Sequence, residues 1–223
     1  MANTQSIDAE KAREFAVRTV RKLREADFIS YWAGGCVRDH HLHIRPKDFD
    51  VATNAMPEEI QNLFGKKRTL AIGASFGVIT LIGSKAQGNI EIATFREDES
   101  YTDGRRPDKI TFSTPEADAR RRDFTINGMF LDPETMETLD YVGGLADLEA
   151  CRIQAIGDPT ERFEEDKLRI LRAVRFATTL DFEIEQNTLD AVCRSIDNLN
   201  QVSRERILIE LEKTLSSQHR LRG

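Results

Sequence analysis

Apolar residues recur at close to helical period between Ile7 and Ala26, where Phe15, Val17, Val20 and Leu23 fall among charged positions. That spacing predicts an amphipathic helix, with Ser6 placed to cap its start. Short β-rich segments follow at Ile29–Ala33, Phe49–Ala52, Arg68–Ile72, Phe76–Ile82 and Asn89–Phe95, divided by Gly, Asn and Pro. Pro57 opens a short helix through Phe64, because proline is tolerated in the first helical turn. The first half therefore reads as mixed α/β.

Between Arg96 and Ala117 the pattern fades. This stretch is polar, carries Gly104, Pro107 and Pro115, and reads as a long functional loop interrupted only by Lys109–Phe112. A strand-like run, Cys151–Ile156, ends at Gly157-Asp158-Pro159, and everything beyond reads as helix. Three apolar stripes support it: Leu168, Leu171, Val174 and Phe176; Leu189, Val192 and Ile196; Ile207, Leu208, Leu211 and Leu215. A boundary near residue 157 divides a head, 1–157, from a helical region, 158–223.

Composition narrows the class. The 223 residues carry 32 Lys and Arg against 38 Asp and Glu, a formal net charge of -6, which argues against nonspecific coating of nucleic acid. Any such binding must use local patches, such as Arg105-Arg106, Arg120-Arg121-Arg122 and the arginines from Arg162 to Arg175. No apolar run approaches bilayer length, and Met1–Ser6 lacks the basic-then-apolar pattern of a secretion signal. Cys36, Cys151 and Cys193 are odd in number and lack metal-ligand spacing, as expected of reduced thiols in a cytoplasmic protein.

The first candidate chemistry lies between Gly34 and Asp50. Gly34-Gly35-Cys36-Val37-Arg38-Asp39 lies between a strand and a helix, where a glycine pair lets backbone approach phosphate. About a dozen residues on, Asp48 and Asp50 alternate along a strand, so both carboxylates share one face while Phe49 and Val51 take the other. Hard carboxylate oxygens held that close repel unless a divalent ion lies between them, and magnesium commonly bridges protein to substrate phosphates. Standing alone, either motif reads as a tight turn or a solvated strand end. His40, His41 and His43 have no supporting ligand spacing and read as surface histidines, and Trp32 as core.

The motifs occur in series. Gly34 to Asp39 followed by Arg45 to Thr53 resembles the active-site motif of class II CCA-adding tRNA nucleotidyltransferases and bacterial poly(A) polymerases, within the DNA polymerase beta nucleotidyltransferase superfamily. Arg121 to Met129 resembles that family's second motif, Asp140 to Asp147 its third, Glu165 to Phe176 its fourth, and Val202 to Leu211 the helix that closes its neck. The resemblance implies an α+β fold: a polymerase-beta-like head with a mixed sheet and flanking helices, then an all-helical neck. It implies Asp48 and Asp50 as catalytic metal ligands for Mg2+. It further implies Gly35, Arg38, Arg121, Arg122, Asp123, Asn127, Asp166, Arg169, Arg172 and Arg175 as nucleotide-binding residues. Implied substrates are the tRNA 3′ end, CTP and ATP. Relatives continue into helical body and tail domains that grip tRNA, so the neck is expected to be incomplete at its C-terminus.

The fourth motif also has a physical reading. Asp166, Arg169, Arg172 and Arg175 recur every three residues and, on one helix, drift slowly around neighbouring faces. Aspartate accepts from an exocyclic amine and arginine donates to ring nitrogen or carbonyl, the polarity that reads cytosine and adenine. Glu91, within Ile90-Glu91-Ile92, is a candidate third carboxylate or an ordinary exposed strand residue. Thr69 to Val78 resembles the CCA-adding form rather than the arginine-rich run of poly(A) polymerases, and the Arg96–Ala117 loop has a full length that CC-only relatives lack, so the resemblance favours complete CCA addition over CC-only, A-only or poly(A) addition. A noncatalytic RNA- or nucleotide-binding protein is the alternative from another class.

Overall fold

The computed structural model describes residues 7–46, 48–99, 109–221 and 223. Ser6, Arg105 and Arg106 lie outside them. Packing divides the chain into two units that interleave along the sequence. The first takes in residues up to Glu97, Ile110–Ala119 and Met129–Tyr141; the second takes in Asp98–Lys109, Arg120–Gly128 and Val142–Gly223.

In the first unit, helix α1 (Ala9–Arg24) starts at Asp8, whose side chain accepts from the backbone amides of Glu10 and Lys11. Asp8 thus supplies the cap. The helix buries Ala12, Phe15, Ala16, Thr19, Val20 and Leu23, a stripe broad enough to lie on a sheet. The chain continues through β1 (Ser30–Ala33), α2 (Gly35–His41), β2 (Asp50–Thr53), α3 (Pro57–Phe64), β3 (Thr69–Leu70), β4 (Val78–Ile82) and β5 (Asn89–Thr94). Then come β6 (Arg96–Glu99), β7 (Lys109–Phe112), α4 (Pro115–Arg120), β8 (Phe130–Leu131) and β9 (Thr138–Leu139). The expected Arg68–Ile72 strand shrinks to two residues, because the chain turns into a 3₁₀ segment at Ala74–Phe76. The polar stretch after Arg96 is not all loop: β6 and β7 form a two-stranded sheet.

Among the described residues, seven strands form the main sheet in the order β3-β4-β5-β2-β1-β8-β9. All its pairings are antiparallel except β2 with β5, which makes it a mixed sheet. Its apolar face carries Trp32, Val51, Ile79, Leu81, Ile90 and Ile92, all at most 2% exposed. Phe49 packs against Trp32 with ring centroids 4.8 Å apart, so the residue between the two aspartates anchors them to the core.

The second unit contains α5 (Gly144–Glu149), β10 (Arg152–Ile153), α6 (Pro159–Glu165), α7 (Leu168–Leu180), β11 (Glu183–Ile184), α8 (Gln186–Ser195) and α9 (Arg204–Leu215). The region beyond Gly157 is thus helical with one exception, since β11 pairs in parallel with β10. Phe124, Phe163, Ile170, Ala173 and Phe176 form its core. The third apolar stripe is inverted. Helix α9 packs on α7 yet buries Glu210 and Thr214, while Leu208, Leu211 and Leu215 are exposed. No helix among the described residues is long and apolar enough to cross a membrane.

Candidate active site

The first unit assembles the carboxylates beside the glycine turn. Ala33, the last residue of β1, is the register partner of Asp50 at the start of β2. The turn that follows Ala33 therefore lies next to the strand bearing the acids, as the motif spacing implies. Gly34 has φ 71° and ψ -129°, a conformation that a side chain resists, and its amide donates to the Met129 carbonyl at 3.3 Å. Gly35 is less constrained: a Cβ there would stand 3.6 Å from the Arg38 guanidinium, ordinary contact. Arg38 donates to the Asp39 carboxylate from Nε at 2.9 Å and from Nη2 at 2.6 Å, which fixes its fork beside the turn.

Asp48 and Asp50 are exposed, whereas Phe49 and Val51 are buried; the alternation matches a strand with one wet face, but β2 begins only at Asp50, so Asp48 lies in the segment leading into it rather than on the strand. Glu91 is the register partner of Asp50 across the parallel β2–β5 pair and is exposed as well. Partners in register point to the same face, so a carboxylate from a distant segment stands beside the pair. Among the described residues no three His, Cys, Asp or Glu side chains converge into a metal-holding group. Two exposed carboxylates without a closed cage suit a hard cation that retains water and takes phosphate oxygens as further ligands, so the donor set fits magnesium. His41 Nε2 lies 2.9 Å from Thr138 Oγ1, and burial followed by nearby positive charge lowers the pKa of His40 and His41.

The second unit gathers the other predicted residues around α7. Asp123 is buried; its Oδ1 accepts from the Phe124 amide at 2.8 Å and from Asn127 Nδ2 at 3.3 Å, and its Oδ2 accepts from Arg172 Nε at 2.8 Å. Burial alone would raise the Asp123 pKa, but the Arg172 charge and these hydrogen bonds outweigh it and hold the carboxyl at about 2. Arg122 donates to the Asn127 carbonyl at 3.3 Å, and the Arg121 carbonyl accepts from Arg169 Nη2 at 3.3 Å.

Asp166 departs from the periodic reading. It does not share a helix with the three arginines, because it lies at the break between α6 and α7 with extended backbone, φ -142° and ψ 104°. Its Oδ1 accepts from the Leu168 amide at 3.1 Å and its Oδ2 from Arg206 at 2.7 Å. Arg169 is held by Glu165 at 2.5 Å and by the Arg162 carbonyl at 2.9 Å. Arg175 pairs with buried Glu210 and lies over the Phe176 ring, 3.8 Å from its centroid. Burial, then the neighbouring Arg172 charge, lowers the Arg175 pKa against the pull of Glu210. The guanidiniums of Arg172 and Arg175 are thus committed to internal carboxylates, and Glu210 joins them from α9. Arg206 and Glu210 were not among the expected site residues, although both lie in the Val202–Leu211 segment that resembles the family's neck helix; standing four apart, they share one helix face. Asp147 is also buried, accepting from Thr125 Oγ1 at 2.6 Å and Arg152 Nε at 2.8 Å, which ties α5 to the second motif.

These blocks coincide with known families. A model described as the poly(A) polymerase head domain matches residues 30–154, and one described as the probable RNA and SrmB-binding site of polymerase A matches residues 181–223. The chain belongs to the class II CCA-adding enzyme and bacterial poly(A) polymerase family. It is 42% identical to the CCA-adding enzyme of Limosilactobacillus reuteri over 92% of this chain and 50% of that protein. Identity to the CCA-adding enzyme of Enterococcus faecalis is also 42%, over 93% of this chain and 50% of that one. The Bacillus stearothermophilus CCA-adding enzyme, solved in complex with CTP, matches with TM-score 0.82 and 31% identity, covering 92% of this chain and 49% of its own. The Thermotoga maritima CCA-adding enzyme, solved with tRNA, matches at TM-score 0.77 and 27% identity over 94% and 48%. The chain spans about half the length of these relatives.

Proposed function

We propose that this chain is the catalytic part of a nucleotidyltransferase that adds CCA to the tRNA 3′ end from CTP and ATP. The observation that carries the reading is the exposed pair Asp48 and Asp50, anchored through buried Phe49, with Asp50 register-matched to Glu91. In the reaction the RNA 3′-hydroxyl oxygen attacks the nucleotide α-phosphorus, a phosphodiester bond forms, the bond to the β-phosphate breaks, pyrophosphate leaves, and the hydroxyl proton passes to solvent. Asp48 and Asp50 would hold Mg2+, which when bound neutralises phosphate charge and favours the ionised hydroxyl. The chain's own contribution is positioning: the Gly34 turn and Arg38 face phosphate, and Arg121 and Arg122 serve phosphate or ribose, since guanidinium forks match their oxygens.

Base choice falls to Asp166 and Arg169. Asp166 accepts from the exocyclic amine that cytosine and adenine share, and Arg169 donates to the ring edge. Arg172, Arg175, Asp123 and Asn127 support that reader as a part-buried polar frame. Functionally we divide the chain near residue 157 into a nucleotidyltransferase head and a helical neck. The three free cysteines fit a reducing cytoplasm.

The test is incubation of the purified chain with magnesium, a tRNA transcript ending before CCA, and each nucleoside triphosphate singly and combined, resolved at single-nucleotide length. Addition of C, C and A that stops there and vanishes in Asp48→Ala supports the proposal. Long A tails would move the chain to poly(A) addition, and RNA binding that survives without incorporation in any variant would make it a binding protein.

A further inference from the structure

Many arginines of this chain are oriented by its own carboxylates. Arg24 pairs with Asp132, Arg38 with Asp39, Arg162 and Arg169 with Glu165, Arg172 with Asp123, Arg175 with Glu210, and Arg206 with Asp166. The run Arg120 to Arg122 likewise has partners within the fold. One cationic run differs. Lys66, Lys67 and Arg68 are consecutive and exposed, and none makes an ion pair among the described residues. They form a 3₁₀ turn between α3 and β3, entered through Gly65 at φ 89°. At three residues per turn, three successive side chains spread around the axis. The turn is pinned beneath them: the Arg68 amide donates to the Gly65 carbonyl at 3.0 Å and Thr69 Oγ1 to the same carbonyl at 3.2 Å.

Three unpaired like charges on a rigid turn repel one another, and a protein of net charge -6 gains no solubility from them. Their position supplies a use. The turn leads into β3, the edge strand of the main sheet, and β4 and β5 separate that edge from the strand bearing Asp50. Three strand spacings amount to about 14 Å.

We propose that Lys66, Lys67 and Arg68 form a phosphate-binding patch that grips the backbone of the RNA upstream of its 3′ end. This rests on the nucleotidyltransferase reading, because that reading puts the RNA terminus at Asp48 and Asp50. Contacts to phosphate position a nucleic acid without reading its sequence, so the patch serves any acceptor end. Exposed Leu70 and Ile72, at 42% and 89%, flank the cations with apolar surface for a ribose or base face.

The triple variant Lys66→Gln, Lys67→Gln, Arg68→Gln tests it, alongside a charge-matched control with Lys11→Gln, Arg18→Gln and Lys85→Gln elsewhere on the same unit. Binding of a labelled tRNA transcript is followed across a salt series, with the urea midpoint verifying folding. At roughly 0.7 counterions released per single-strand phosphate, loss of three contacts lowers the slope of log affinity against log salt by about 2. Affinity at about 0.1 M salt falls roughly tenfold or more, with the KM for CTP unchanged and the control near wild type. An unchanged slope in a folded triple variant whose wild type binds and extends RNA overturns the patch alone. Absence of both RNA binding and incorporation in the wild type overturns the patch together with the activity it rests on. Equal competition by polyglutamate of matched charge overturns RNA as the occupant.

Discussion

Arg206 donates to one carboxylate oxygen of Asp166 at 2.7 Å while the Leu168 amide holds the other at 3.1 Å. Both oxygens of the proposed base acceptor are therefore oriented before any nucleotide arrives, one by the helix that follows it and one by α9. Preorganisation of this kind lowers the cost of placing a ligand.

Arg206→Ala is expected to loosen base choice more than it slows chemistry. With one oxygen released, Asp166 can turn away from the exocyclic amine. The KM for CTP and ATP should rise about tenfold, and misincorporation of UTP should increase, at a stability cost of about 1–3 kcal/mol for the lost charged hydrogen bond. Single-nucleotide incorporation with all four triphosphates and a urea titration measure both. Unchanged selectivity in a folded variant would remove Arg206 from the base reader.

Asp123 makes the ionic frame acid-sensitive. Its folded pKa, about 2, lies below the ordinary aspartate value of 3.8, so ionised Asp123 contributes stability that is fully present above about pH 4 and is lost as pH falls toward 2. The shift corresponds to about 2 kcal/mol. Asp123→Asn, which takes from the partly exposed Arg172 its nearest countercharge and leaves only the more distant Glu210, should cost about 1–3 kcal/mol at pH 7. The gap between the two urea midpoints should narrow as the pH drops toward 2, and a gap independent of pH would sink this account.

The three carboxylates of the first unit should rank unequally. Asp48→Ala and Asp50→Ala are each expected to lower kcat about 100- to 1,000-fold, the loss usual for a group that stabilises charge in the transition state. Glu91→Gln should cost only about tenfold, because Glu91 stands next to Asp50 but among the described residues completes no three-ligand group. Magnesium titration of the three variants gives the ranking, and a Glu91 effect as large as that of Asp50 would promote it to a full ligand.

Gly83 closes the hairpin that delivers Glu91. A Cβ at that position would stand 2.1 Å from the Gly88 carbonyl and 2.7 Å from the Phe15 ring. Gly83→Ala should destabilise the chain by about 1–3 kcal/mol through overpacking, with activity lost in proportion to the unfolded fraction. A urea midpoint equal to wild type would show that the hairpin yields without cost.

The alternation of Phe49 and Val51 with Asp48 and Asp50 was legible because strand geometry leaves such a pattern no other face to occupy. The helix Ala9–Arg24 was legible from its apolar stripe, though its cap is Asp8 and not Ser6, and Pro57–Phe64 from a stripe plus its opening proline. What periodicity missed depends on partners far away in sequence. Asp166 has helical spacing to Arg169 but is drawn out of the helix by Leu168 and Arg206. The α9 leucines have core spacing yet face outward, because Glu210 is held inside by Arg175 and Arg172. Strand β11 eluded the reading because two residues are too few to show alternation. The Lys66–Arg68 turn left no mark in the pattern, because nothing local in a sequence separates an exposed cation without a partner from one whose carboxylate lies far along the chain.

The pairing of β2 with β5 has a consequence for how the chain acquires its activity. These strands run parallel, so no tight hairpin can join them, and the segment between Thr53 and Asn89 must return across the sheet before Asp50 meets Glu91. On its other side β2 pairs with β1, which in turn needs β8, nearly a hundred residues further on: Trp32 is matched to Leu131. Contacts this distant close late, since loop entropy must be spent before they form. The acidic edge is thus a product of the finished topology, and a chain emerging during synthesis carries both aspartates long before it can use them.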